Sequence, residues 1–163
     1  MILHKIKKII EQAYLILSMD IMVSKILDKK ALENAFYIRN KVFVIEQGVS
    51  EKEEYDEFES SSVHFLVTAN GLPVGTARWR KTDNGIKLER FAILSDYRKL
   101  GLGATLVHAI LKDLLVETQH VYLHAQVHAV PFYASLGFII EGSEFEEAGI
   151  RHLKMYLRSP NKE

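Results

Sequence analysis

The chain has 163 residues, 48% of them apolar, and no cysteine. That suits one domain with a sizeable core and excludes disulfides, thiolate metal sites and a cysteine nucleophile. Lysine plus arginine and aspartate plus glutamate both count 21, so no net field draws the protein to nucleic acid or to an anionic membrane.

Lys5, Lys7 and Lys8 precede apolar residues and imitate a secretion signal. Glu11 and Gln12 interrupt the run, leaving residues 13–17 as its longest apolar stretch. A signal core needs roughly 7–15 such residues and a membrane span about 20, so the expectation is a soluble, cytoplasmic protein. Ile2, Ile6, Ile9, Ala13 and Ile16 recur at helical spacing, flanked by Leu3, Ile10 and Leu17. They predict an amphipathic helix with a broad apolar face. Residues 1–20 read as an extension and 21–163 as one domain. Residues 21–27 alternate as a strand, and Asp28 is placed to cap a helix carrying Leu32, Ala35, Phe36, Val42 and Phe43 on one face.

Residues 46–59 hold Glu46, Glu51, Glu53, Glu54, Asp56, Glu57 and Glu59 against Lys52 alone. Such a run reads first as a solvated loop. Strands are expected over 63–69, 72–81 and 86–93, joined at Asn70-Gly71 and Asn84-Gly85, the strongest short hairpin signal. Helical spacing returns at Leu102, Leu106, Val107, Ile110, Leu111, Leu114 and Leu115. A strand over 121–126, a short helix near 131–136 and strands near 138–141 and 151–157 follow. The fold class is α+β, a mostly antiparallel mixed sheet flanked by helices.

Arg98-Lys99-Leu100-Gly101-Leu102-Gly103 lies between a strand and the long apolar helix. Glycines there let several N–H groups converge, the helix N-terminus adds positive potential, and Arg98 and Lys99 add charge. Such a loop is suited to cradle a pyrophosphate, and the same glycines would equally serve a plain strand-to-helix turn. A dinucleotide fingerprint would need glycine where Leu106 stands, and a nucleotide P-loop would need Gly-Lys-Ser/Thr.

Arg98-x-x-Gly101-x-Gly103 resembles the Arg/Gln-x-x-Gly-x-Gly/Ala signature of the GNAT superfamily of N-acetyltransferases. Residues 88–93, Leu-Glu-Arg-Phe-Ala-Ile, resemble that family's fourth strand, and residues 131–138, Pro-Phe-Tyr-Ala-Ser-Leu-Gly-Phe, its Phe-Tyr-x-x-x-Gly-Phe segment. Residues 39–47, 123–126 and 148–155 are similar to a mostly uncharacterised small bacterial branch. The resemblance spans nearly all of the chain after the first helix. It implies acetyl-CoA as cosubstrate, an amine acceptor of unknown identity, no metal, and a homodimer as a possible assembly. A non-catalytic acyl-CoA-binding or sensing module and an acyl-homoserine-lactone synthase-like enzyme are the alternatives.

In the family the fourth strand splays from the fifth and the pantetheine arm enters the gap. By resemblance, the backbone of Phe91, Ala92 and Ile93 meets that arm, beside Arg98, Lys99, Leu100, Gly101, Leu102 and Gly103, with Gln126 and Phe132 nearby. Tyr133 is the candidate general acid that protonates the departing thiolate, or else a packing aromatic. Glu89 is the candidate base. Strand alternation puts it on the side of Phe91 and Ile93, and pairing with Arg78 or Arg80 is its other reading. His120, His124 and His128 are close in sequence, but across a strand and a loop they are expected not to share one face as metal ligands would. The acidic stretch would favour a cationic amine if it borders the acceptor.

Overall fold

The computed structural model describes residues 2–114 and 120–158. Helix α1 (Ile2–Ser18) leads into β1 (Ile21–Lys25), followed by α2 (Lys29–Arg39), the four-residue α3 (Glu51–Glu54), β2 (Val63–Ala69), β3 (Leu72–Thr82) and β4 (Gly85–Ile93). Then come α4 (Leu102–Asp113), β5 (Val121–Gln126), α5 (Val130–Ser135), β6 (Phe138–Glu147) and β7 (Ile150–Leu157).

The seven strands form one sheet in the order β1-β2-β3-β4-β5-β7-β6. Every neighbouring pair is antiparallel except β4 and β5. That exception follows from α4, which carries the chain across the sheet between β4 and β5. The β2–β3 hairpin turns through Asn70 at φ 51° and Gly71 at φ 78°, left-handed values that suit the sheet's twist.

Helix α4 covers one sheet face. Leu102, Leu106, Val107 and Ile110 pack with Phe65, Val67, Leu88 and Leu123 in the main core, each buried side chain contributing about 1.5–3 kcal/mol relative to exposure. Helix α2 covers the other face, where Ala35, Ile38 and Val42 meet Leu66 and Ala92. Asp28 caps α2 as expected, its side chain accepting from the Ala31 amide.

Three elements differ from the sequence reading. The second helix changes at Asn40 into a wider π-helical segment, Asn40–Glu46, so Val42 and Phe43 belong to a separate turn. Strand β6 runs six residues further than expected, to Glu147, because Ala148 and Gly149 take left-handed values of φ 52° and 72° and close a hairpin onto β7. The acidic stretch is not a solvated loop at its key positions: Glu54 is 3% exposed. Arg39 binds Glu54 at 2.5 Å and Glu59 at 2.6 Å, and Arg78 holds Asp56 by two bonds of 2.9 and 2.6 Å. Buried arginines recruited those carboxylates, because an unpaired buried guanidinium is costly.

Within α1, Leu3, Ile6, Ile10 and Tyr14 are exposed. The side chains of Ile2, Ile9, Ala13, Ile16 and Leu17, and Leu115, lie outside the described residues. Among the described residues no helix is long and apolar enough to cross a membrane.

Candidate active site

The sheet opens in its middle. Strands β4 and β5 pair only from Ile86/Val121 to Leu88/Leu123, and beyond that pair they part. The opening forms a cleft of about 960 Å³. On the β4 side, Arg90 adopts φ 59° and the β3–β4 register slips between Thr76 and Arg78. This is a β-bulge, one extra residue that reverses the alternation. Phe91 and Ile93 consequently pack against the α4 core while Ala92 joins the α2 side.

The bulge corrects one expectation. Glu89 does not share a face with Phe91 and Ile93; it points to the opposite side, opposite Arg78. There its Oε1 accepts from Arg78 at 3.0 Å and from Arg80 at 2.7 Å, and Lys87 Nζ lies 3.4 Å from Oε2. Burial alone would raise the Glu89 carboxyl, but Arg78, Lys87 and Arg80 outweigh it and hold it below the ordinary carboxylate range. Three cations make it a poor acceptor for a proton, so the geometry argues against Glu89 as the base.

The glycine-rich turn borders the cleft from the other end. Lys99 at φ 62° and Gly101 at φ 81° turn the backbone, and Gly101 precedes α4 without a side-chain cap. The first α4 hydrogen bond runs from the Thr105 N–H to the Gly101 carbonyl, 3.1 Å, so the amides of the preceding turn have no partner within the helix. Gly103 has its own reason: a Cβ there would sit 3.2 Å from the Phe132 ring. Leu100 and Leu102 serve mainly as packing, Leu102 being 2% exposed. Arg98 is placed at the cleft with its guanidinium committed, bidentate to Glu46 at 2.5 and 2.7 Å and donating from Nε to the Ile93 carbonyl. Its hydrogen bond is the main reason the Glu46 carboxyl lies below its ordinary value.

Tyr133, on α5, lines the cleft. Its ring packs edge-on against Phe91, Phe132 and Phe138 at 6.0, 4.9 and 6.0 Å. Burial pushes its phenol well above the ordinary value, so it stays protonated. Gln126 faces Gln47 at the end of the π-helical segment, donating from Nε2 to the Gln47 side-chain oxygen Oε1 at 2.9 Å.

Sequence reasoning missed Gln47 as the partner of Gln126, 79 residues away, and the pairing of His124 with Glu147, whose Oε2 is 3.1 Å from Nδ1. It also misjudged the histidines. His120 stacks on Tyr122, which leans on His124, so these residues share one strand face, as a period of two requires. Among the described residues no group of three or more such side chains is close enough to hold a metal ion.

Known proteins are similar to this chain in sequence and fold. A family model described as an acetyltransferase (GNAT) domain matches residues 26–159. An uncharacterised N-acetyltransferase of Bacillus subtilis (strain 168), YjcF, is 41% identical over 130 residues, covering 78% of this chain and 93% of its own. The crystal structure of an acyl-CoA N-acyltransferase from Pseudomonas aeruginosa matches with a TM-score of 0.74 and 25% identity, over 86% of this chain and 100% of that one. Escherichia coli ElaA matches with a TM-score of 0.74 and 26% identity, over 86% and 99%.

Proposed function

This chain belongs to the GNAT acetyltransferase family and is an acyltransferase that takes its group from an acyl-CoA; from that premise we propose that the group is acetyl and the acceptor a small or peptide amine. The observation that carries the reading is the parting of β4 and β5 beside an uncapped glycine turn, with Tyr133 at the junction.

The unpaired edge of β4 from Glu89 to Ile93 offers backbone groups to the pantetheine arm. The left-handed turn through Lys99 and Gly101 directs the first amides of α4 at the pyrophosphate, where the helix dipole favours negative charge. Lys99 adds a cation there. Arg98 contributes by fixing the turn to Ile93 and Glu46. The amine attacks the thioester carbonyl, whose developing oxyanion gains from a backbone N–H, and the C–S bond breaks as Tyr133 gives its proton to sulfur. Glu89 serves as an anchor for Arg78 and Arg80.

Acetyl-CoA at about 100 times its Kd stabilises the folded chain by about 2.7 kcal/mol, which is a rise in Tm of about 5–10 °C for a chain of this size. NADH and ATP produce a far smaller rise. In the double variant Gly101→Val/Gly103→Val the rise disappears, because one side chain strains a left-handed backbone and the other displaces Phe132. An undiminished rise in that variant refutes the placement of the donor.

A further inference from the structure

With Glu89 neutralised by three cations, the site still needs a group to take a proton from the incoming ammonium. His124 is the first β5 residue beyond the last β4–β5 pair, Leu88/Leu123. Val121, Leu123 and Ala125 lie in the α4 core, so His124 projects to the opposite face, shared with Lys87 and Glu89. Its side chain is 25% exposed at the cleft. The ring is held on two sides, edge-on to Phe145 at 4.8 Å and tilted on Tyr122 at 6.0 Å.

We propose that His124, oriented by Glu147, is the catalytic base for the acceptor amine. This rests on the acetyl-transfer reading above. Glu147 Oε2 lies 3.1 Å from His124 Nδ1. The Glu147 carboxyl is held down at about 2, first by that hydrogen bond and further by Lys87 and the nearby histidines, so it is an acceptor at every working pH. An ionised carboxylate only accepts, so the imidazole proton resides on Nδ1 and Nε2 keeps its lone pair.

The charged neighbours on this strand face are engaged elsewhere. Lys87 stands between Glu89 and Glu147, 3.4 and 3.9 Å from their oxygens. Lys154, opposite His124 on β7, is drawn away to Glu141 at 2.6 Å. His152, across from Gln126, is 9% exposed and has Nδ1 on the Ile150 carbonyl at 2.7 Å, with its ring stacked on Phe145. It is a buttress for the wall that holds His124.

The protons balance. The ammonium gives one proton to Nε2, and Glu147 stabilises the imidazolium. The free amine attacks the carbonyl carbon and the C–S bond breaks. Tyr133 protonates the sulfur and regains a proton from the new amide nitrogen. One proton per turnover leaves from His124 to solvent.

The test uses His124→Asn, which keeps a donor for Glu147 and lacks the proton-accepting nitrogen, with two probe amines. n-Butylamine is protonated at neutral pH and needs a base; hydroxylamine is not and does not. The expected result is a loss in kcat/KM of about 10²–10⁴-fold for n-butylamine and of less than about tenfold for hydroxylamine. Equal losses for both amines, or none, overturn the assignment. Independently of turnover, nitrogen NMR of the wild-type imidazole should show the Nδ1–H tautomer, with that preference lost in Glu147→Gln. A wild-type ring protonated on Nε2 alone overturns the proposal. If acetyl-CoA still raises Tm in that case, only the base assignment fails; if it does not, the donor reading fails as well.

Discussion

Replacing Glu89 with glutamine separates an anchor from a base, because the two roles predict opposite outcomes. The carboxylate is 8% exposed and answers Arg78, Arg80 and Lys87. Removing one partner of a buried ion pair costs about 3–5 kcal/mol. Arg78 keeps its two hydrogen bonds to Asp56 and a contact of 2.9 Å to Glu59, so the loss falls to about 2–3 kcal/mol. For a chain of this length that is a drop in Tm of about 5–10 °C, read by calorimetry at pH 7. The folded carboxyls of Asp56, Glu59 and Glu89 lie below their ordinary values, each by arginine pairing that outweighs burial. Their stabilisation is therefore present above the ordinary carboxylate range and is lost as pH falls through the depressed folded values. The gap between Glu89→Gln and the parent should narrow below about pH 4. Turnover per folded molecule should fall by less than about tenfold. A variant that melts like the parent yet loses about 10²–10⁴ in turnover would refute this account and return Glu89 to the role of base.

Tyr133→Phe should keep the rise in Tm with acetyl-CoA and lose about 10²–10⁴ in turnover. Burial raises the phenol, so its ionisation should cause no fall in wild-type rate up to its ordinary value of about 10; full turnover of the variant at every pH leaves the residue as packing alone. The stripe on α1, with Leu3 83% and Ile10 62% exposed, predicts a dimer by light scattering that reverts to monomer when residues 2–18 are removed. A monomeric full-length chain refutes that pairing, and a dimer that survives the deletion moves the interface elsewhere.

What the sequence revealed was local. The β2–β3 hairpin shows in Asn70-Gly71, the α2 cap in Asp28 and the glycine turn before α4 in residues 98–103, each a few adjacent residues whose backbone needs are written in their type. What it concealed depends on distant partners. Arg39 finds Glu54 and Glu59 across 15 and 20 residues, and His124 finds Glu147 across 23. The bulge was hidden for a different reason. Arg90 carries a left-handed φ without being glycine, and its side chain, bound to the Glu54 carbonyl and to Asp56, helps to hold the strained backbone.

The slip at Arg90 makes β4 a strand whose two halves keep different time. Before it, odd-numbered Lys87 and Glu89 face away from α4; after it, odd-numbered Phe91 and Ile93 face α4. Exchanging a side chain in either half disturbs that half alone. Losing or gaining one residue between Glu89 and Phe91 would instead turn a whole half over, burying charge or exposing the core. In this strand residue count is therefore held more tightly than residue identity, and a scan of single-residue deletions should find its sharpest intolerance there, in a segment where many substitutions fold.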